Sequence, residues 1–393
     1  MSVDFDREID RTGTCSTKYD GRQVTFGHPD VMPLWVADMD FAAPAAVTEA
    51  LAARAVHPVY GYTLFPDSLY EALINWLKLR HGWKVEREWI VLCPGVVPSL
   101  STVILALSGP DESVIVQPPV YYPFFSVIKK TGRKLLTSAL QLVEESYRMD
   151  FADLSQQAVS ARMLLFCSPH NPVGRVWSRP ELERLLDIAR QHRLIIVSDE
   201  IHADLIYPGN KHHILASLAG SPESIITAVA PSKTFNIPGL NLSALIVPDP
   251  AYRAAIRDRL EMMHVSAANP FSVVAFEAAY RAGGEWLEVL MTYLADTREM
   301  VRQYLAEYLP QISLISSQGT YLLWLDCRRL GMSDDELKHF FIFEAGIGMN
   351  PGISFGKEGS GFMRMNIGAP RHRIRQALES IRSALERRRN SIS

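Results

Sequence analysis

Cysteine is scarce in this chain. Cys15, Cys93, Cys167 and Cys327 are scattered with no CxxC pair, so the sequence points to neither a disulfide scaffold nor a thiolate metal site. Reduced thiols in a cytoplasmic protein are the expectation. No run approaches the roughly 20 apolar residues of a membrane span, and the opening MSVDFDREIDRTGT lacks the positive patch and apolar core of a secretory leader. No membrane partner is expected. There is also no basic excess: the formal net charge is -3, which argues against a partner chosen for its phosphate backbone, and nucleic acid is excluded on that ground. His202, His212 and His213 fit no zinc spacing, so no metal is expected. Internal repeats and low-complexity tracts are absent, and the basic run Arg387 to Arg389 reads as a solvated helix end whose cations favour the helix dipole.

What is present is a chain of 393 residues, 48% hydrophobic and 21% charged, long enough for more than one core. From about Ala45, helix-period segments alternate with short apolar runs: Trp89 to Cys93, Ser113 to Gln117, Lys134 to Thr137, Met163 to Cys167, Leu194 to Ser198, Ile225 to Ala230 and Ala244 to Val247. Apolar throughout and rich in Val, Ile and Leu, they read as strands of a largely parallel sheet covered on both faces. Arg179 to His192 exemplifies the covering helices, with Leu182, Leu185, Leu186 and Ala189 at three- and four-residue spacing. After about Gly283 the texture changes to a long helical stretch (Glu285 to Tyr308), short strands near Ile312 to Leu325 and a closing helix from Pro370. The expected organisation is a large α/β domain over 45–282, a smaller α+β domain over 283–393, and an N-terminal arm, 1–44, that has no complete βαβ unit and packs with the small domain.

In open α/β sheets ligands sit beyond the carboxyl ends of strands. Four such ends carry distinctive residues: Gly95, Val96 and Val97 opening a helix after Cys93; Asn171 in the turn SPHNPVG; Asp199 and Glu200 in SDEIHADL; and Lys233 in PSKTFNIPGL. Taken singly, the glycine turn is an ordinary strand-to-helix connection, and Asp199 with Lys233 is a structural ion pair. Taken together they answer the demands of pyridoxal 5′-phosphate (PLP). Lys233 supplies an amine for a Schiff base, Asp199 keeps a pyridine nitrogen protonated, and Gly95, Val96, Val97 and Ser232 offer amides and a hydroxyl to a phosphate.

The strings WVADMDF (Trp35 to Phe41), YGY (Tyr60 to Tyr62), PPVYYPF (Pro118 to Phe124), SPHNPVGRVW, SDEIHADL, PSKTFNIPGL and GFMRMNIG resemble the fold-type I PLP enzymes of the aminotransferase class I/II superfamily, and within it the cystathionine β-lyase branch of MalY/PatB type. The resemblance covers nearly the whole chain. It implies the aspartate aminotransferase fold, a mostly parallel mixed sheet between helices plus a smaller α+β domain. For the site it implies Lys233 as Schiff base and proton shuttle, Asp199 on the pyridinium nitrogen, Asn171 on the ring 3-oxygen, Tyr121 stacked on the ring, Arg364 on the substrate carboxylate, and Tyr62 on the cofactor phosphate of a neighbouring subunit in a homodimer. Two positions depart from the wider pattern. Asn241 stands where many relatives carry a phosphate-binding arginine, and His202 where many carry a tyrosine near the ring oxygen. The implied activity is β-elimination from cystathionine or another cysteine S-conjugate. The alternatives are an aminotransferase and a regulatory protein that keeps the PLP fold.

Overall fold

The computed structural model describes residues 3–265 and 269–392. All seven apolar runs form strands of one sheet: β1 (Ile90–Cys93), β2 (Ser113–Val116), β3 (Lys134–Thr137), β4 (Ala161–Cys167), β5 (Ile195–Asp199), β6 (Ile225–Val229) and β7 (Ser243–Ile246). Their order across the sheet is β1-β7-β6-β5-β4-β2-β3. Neighbours from β6 to β3 run parallel, and β7 is antiparallel to both β6 and β1.

Because side chains alternate across a strand, each buried run feeds two separate cores. Val91, Val114, Val116, Leu165, Val197 and Leu245 face helices Val96–Leu107 and Pro250–Met262, while Leu92, Ile115, Leu164, Phe166, Ile196 and Ile246 face the side covered by Asp67–His81 and Arg179–His192. The last helix spans the predicted residues. It starts at a Ser178/Glu181 capping box, buries Leu182 and Leu185, and stops at Arg193 with φ 54°. Each leucine buried there contributes roughly 1.5–3 kcal/mol. Strand β3 corrects the expectation of apolar strands covered on both faces: it is an edge strand whose Lys134 and Thr137 are exposed. An edge has only one neighbour, and a lysine there discourages pairing with another chain.

Beyond this sheet run helix Gly284–Tyr308, a four-stranded antiparallel sheet and the closing helix Arg371–Ile392. The small sheet contains β8 (Ser313–Leu314), β9 (Leu322–Asp326), β10 (Asn350–Pro351) and β11 (Phe362–Asn366), in the order β8-β9-β11-β10. Near the end of the last helix Arg388 grips both oxygens of Glu344, so the basic run is anchored and not merely solvated. No helix among the described residues is long and apolar enough to cross a membrane.

The N-terminal segment binds both parts of the molecule. Met32–Pro33 pairs in parallel with Ile347–Gly348, close enough that a Cβ on Gly348 would meet the Phe26 ring at 2.7 Å. Glu8 accepts from His372 and Arg373, and the Asp40 amide donates to the Gly368 carbonyl at 2.7 Å. On the other side, the Asn236 amide holds the backbone of Met39 and Phe41. Segment 35–41 is thereby fixed between the two sheets.

Candidate active site

The carboxyl ends of β1, β4, β5 and β6 open onto one pocket of about 220 Å³. Gly95, Val96, Val97, Tyr121, Asn171, Asp199, His202, Ser232 and Lys233 all line it. Larger hollows at the arm and along the surface lack this convergence of strand ends. Register explains the meeting: Cys167 pairs with Asp199, and Asp199 with Ala228, so three chain ends leave the sheet side by side. A 12-residue helix begins at Val96, behind Gly95, whose φ of 104° and ψ of 158° suit glycine. Its first amides make a positive end for an anion.

Asp199 is 5% exposed and accepts one backbone bond, from Ile201 at 3.2 Å. Burial lifts its carboxyl to about 7, against the pull of that amide and of Lys233. Burial likewise brings the Lys233 amine down to about 8, partly countered by Asp38 and Asp199. Lys233 Nζ donates to the Ala37 carbonyl at 2.7 Å, and no ion pair joins it to Asp199 among the described residues. The structural ion-pair reading therefore fails; the two groups face the same pocket and feel each other across it. Such a pair can bracket a small ring that needs an amine at one end and a carboxylate at the other.

Arg364, 2% exposed on β11, reaches the same region from the small sheet. It donates to Asn171 Oδ1 at 3.0 Å, the Trp35 carbonyl at 2.9 Å and Asn350 Oδ1 at 2.7 Å, while its plane lies over the Phe355 ring. All three acceptors are neutral, and its Nε has no partner among the described residues. Burial lowers the guanidinium to about 10, so it stays charged near neutral pH. A buried cation without a carboxylate is a receptor for one. His202 is buried too; desolvation brings it down to about 3, so its imidazole is neutral, with Nδ1 unpartnered among the described residues.

Two predicted residues do not line the pocket: Arg364 stands behind Asn171, and Tyr62 is fully exposed on segment 57–66. Asn241 lines the pocket with φ 42°. His212 is taken by Glu200 at 2.7 Å. Sequence reasoning gave no role to Ala37, Trp35 or Asn350, which hold Lys233 and Arg364. WVADMDF carried the signal as a string, but two of these contacts use backbone carbonyls, which residue identity does not disclose.

The sequence pattern described as aminotransferase class I and II matches residues 29–381, nine-tenths of the chain. The chain belongs to this family. Among curated members, "Cystathionine beta-lyase PatB" of Bacillus subtilis is 41% identical over 98% of this chain and 100% of its own, and "Protein MalY" of Escherichia coli is 31% identical over 97% and 98%. Among solved structures, cystalysin from Treponema denticola, described as containing a pyridoxal 5′-phosphate cofactor, superposes with a TM-score of 0.94 at 35% identity, covering 98% of this chain and 99% of that one. The PLP-bound C-S lyase from Staphylococcus hominis gives 0.91 at 31% identity, covering 98% of each chain. In this aminotransferase class I and II chain the large-sheet strand ends thus converge on one pocket, and the small-sheet arginine meets it through Asn171.

Proposed function

We propose that this chain is a PLP-dependent carbon-sulfur β-lyase that converts cystathionine or another cysteine S-conjugate, with water, into the free thiol, pyruvate and ammonia. The observation that carries this reading is one half-buried amine and one buried carboxylate, unpaired with each other, facing a single small pocket beside a guanidinium with no acid partner among the described residues. The relatives named as cystathionine β-lyases and C-S lyases support the choice of reaction.

The residues present fit PLP. Asp199 is a carboxylate short of a cation, which a pyridinium nitrogen supplies. Gly95 leaves space above the helix start, with no atom nearer than 3.8 Å to an added Cβ, and the amides of Val96 and Val97 with the Ser232 hydroxyl would hold the phosphate. Asn171 and His202 stand for the ring oxygen, and Tyr121 for a ring face. Asn241 contributes no charge where many relatives have arginine, which leaves more of the phosphate to the helix start and to Tyr62 of the partner subunit.

When bound, PLP supplies an electron sink for the carbanion formed at Cα. Arg364 orients the substrate by its α-carboxylate, two parallel hydrogen bonds fixing the plane. Lys233 would hold PLP and, with its amine free, would accept the Cα proton at Nζ; an amine near 8 is close to the value a base at neutral pH needs. Asp199 keeps its charge toward the ring nitrogen, and segment 35–41 excludes water from one side.

A homodimer with shared active sites belongs to the same proposal. Val56, Val59, Tyr62 and Leu64 expose 83%, 63%, 106% and 88% of their surface, an apolar strip that a second copy would cover. We also keep the division into 1–44, 45–282 and 283–393, and a cytoplasmic location consistent with three buried free thiols.

The test is product analysis. Purified protein given cystathionine and no keto acid is expected to release homocysteine and pyruvate together. Strict dependence on a keto-acid acceptor would make it an aminotransferase instead. Lys233→Ala is expected to abolish turnover, and near-normal activity in that variant removes Lys233 from the reaction.

A further inference from the structure

Behind the pocket lies a second layer of buried charge. Asp204, 6% exposed, is five residues beyond Asp199 and outside the pocket lining. Its Oδ2 accepts the Thr234 hydroxyl at 3.0 Å, and its Oδ1 accepts Trp76 Nε1 at 3.0 Å and His81 Nε2 at 2.8 Å. Thr234 is fully buried and directly follows Lys233 in the four-residue turn Pro231–Thr234. Trp76 and His81 both lie on helix Asp67–His81, which packs under the large sheet.

A turn of four residues has little intrinsic rigidity, since a single helical turn closes few hydrogen bonds for the dihedrals it fixes. Something else must hold the Lys233 backbone still while its side chain exchanges partners. The Pro231 carbonyl receives the Phe235 amide and the Ser232 carbonyl the Ile237 amide, and the turn's side-chain anchor is the Thr234 to Asp204 bond. Burial favours the protonated acid, but the three donors outweigh it and keep the Asp204 carboxyl below its ordinary range, so the anchor is charged near neutral pH. Around it face His81, whose ring meets that of His212 edge-on at 6.0 Å, and Tyr280, which feels its charge.

We propose that Asp204 is a positioning residue for Lys233: through Thr234 it ties the turn that bears the amine to helix Asp67–His81, and so fixes where Nζ can reach. This rests on Lys233 being the residue that takes the cofactor. Asp204 touches neither cofactor nor substrate, so its effect belongs to the capture of PLP by Lys233 and to the proton transfer, not to substrate affinity.

The test compares Thr234→Val, which keeps the shape and deletes the tether, with Thr234→Ser, which restores it, and with Asp204→Asn. In the last variant the carboxamide oxygen still serves Trp76 and His81 while its amide turns to the Thr234 hydroxyl, which accepts as readily as it donates. PLP binding is titrated by the visible band, the share fixed on the Lys233 peptide by borohydride is read by mass spectrometry, and kcat and KM are measured on a cysteine thioether. Thr234→Val is expected to weaken PLP binding about tenfold and to lower kcat with KM unchanged, as loss of a hydrogen bond to a charged group implies. Thr234→Ser should recover both, and Asp204→Asn should fall between. If Thr234→Val lowers Tm yet binds and fixes PLP as the unaltered protein does, the role is structural and the proposal is overturned. If the unaltered protein fixes no PLP on Lys233, the functional reading falls as well, so the two failures are distinct.

Discussion

Asp199 makes the pocket sensitive to pH before any ligand arrives. The folded chain holds this proton more tightly than the unfolded chain, so the contribution of Asp199 to stability is complete below its ordinary value of 3.8 and is lost as the pH rises through about 7. Lys233 has the opposite sign: its amine, brought down to about 8, favours folding above its ordinary 10.5 and loses that contribution as the pH falls through about 8. The Tm of cofactor-free protein is therefore expected to decline from about pH 4 to 7, and Asp199→Asn to flatten that decline; an unchanged slope in a pH series of thermal melts would refute the assignment. Arg364→Lys loses the planar fork, and KM for a cysteine thioether is expected to rise about ten- to a hundredfold. These side chains were legible because charge, amine and guanidinium name their chemistry in one letter. Ala37 was not, since its contribution to Lys233 is a carbonyl that any residue could offer. Nor was Asp204, because SDEIHADL does not say which of its acids face the pocket and which face away.

Strands and their ends were read more securely than single contacts. Six of the seven runs became buried strands because a strand buried on both faces admits no other composition, and the residue after each parallel run then had to lie at the sheet's carboxyl edge. Sheet order was not legible: β7 returns antiparallel between β1 and β6, a pairing fixed by long-range packing. The fault at β3 has the same cause, since nothing in Lys134 to Thr137 says that it has one neighbour rather than two. At the helix start the prediction is local. Gly95→Ala places a Cβ at φ 104°, a strain of order 1–3 kcal/mol, and intrudes on the space above the first amides, so PLP affinity is expected to drop more than Tm, measured by titration and melting.

The single chain brings the predicted residues onto or against the pocket, Arg364 through Asn171, except Tyr62, for which the proposed destination is a second copy. Sedimentation at micromolar concentration is expected to return twice the mass of one chain. Mixing Tyr62→Ala with Lys233→Ala, each impaired alone, should restore activity, because a hybrid dimer holds one site with neither lesion; no recovery on mixing would place Tyr62 outside any shared site. The segment running from Trp35 to Phe41 has a consequence for how such a molecule is made. It is synthesised well before the small-sheet groups that hold it: Arg364 follows Trp35 by 329 residues, and Asn366 follows Val36 by 330. The large sheet can condense first, but its pocket gains a roof only once those later residues have been made, so the site matures after the sheet that bears it.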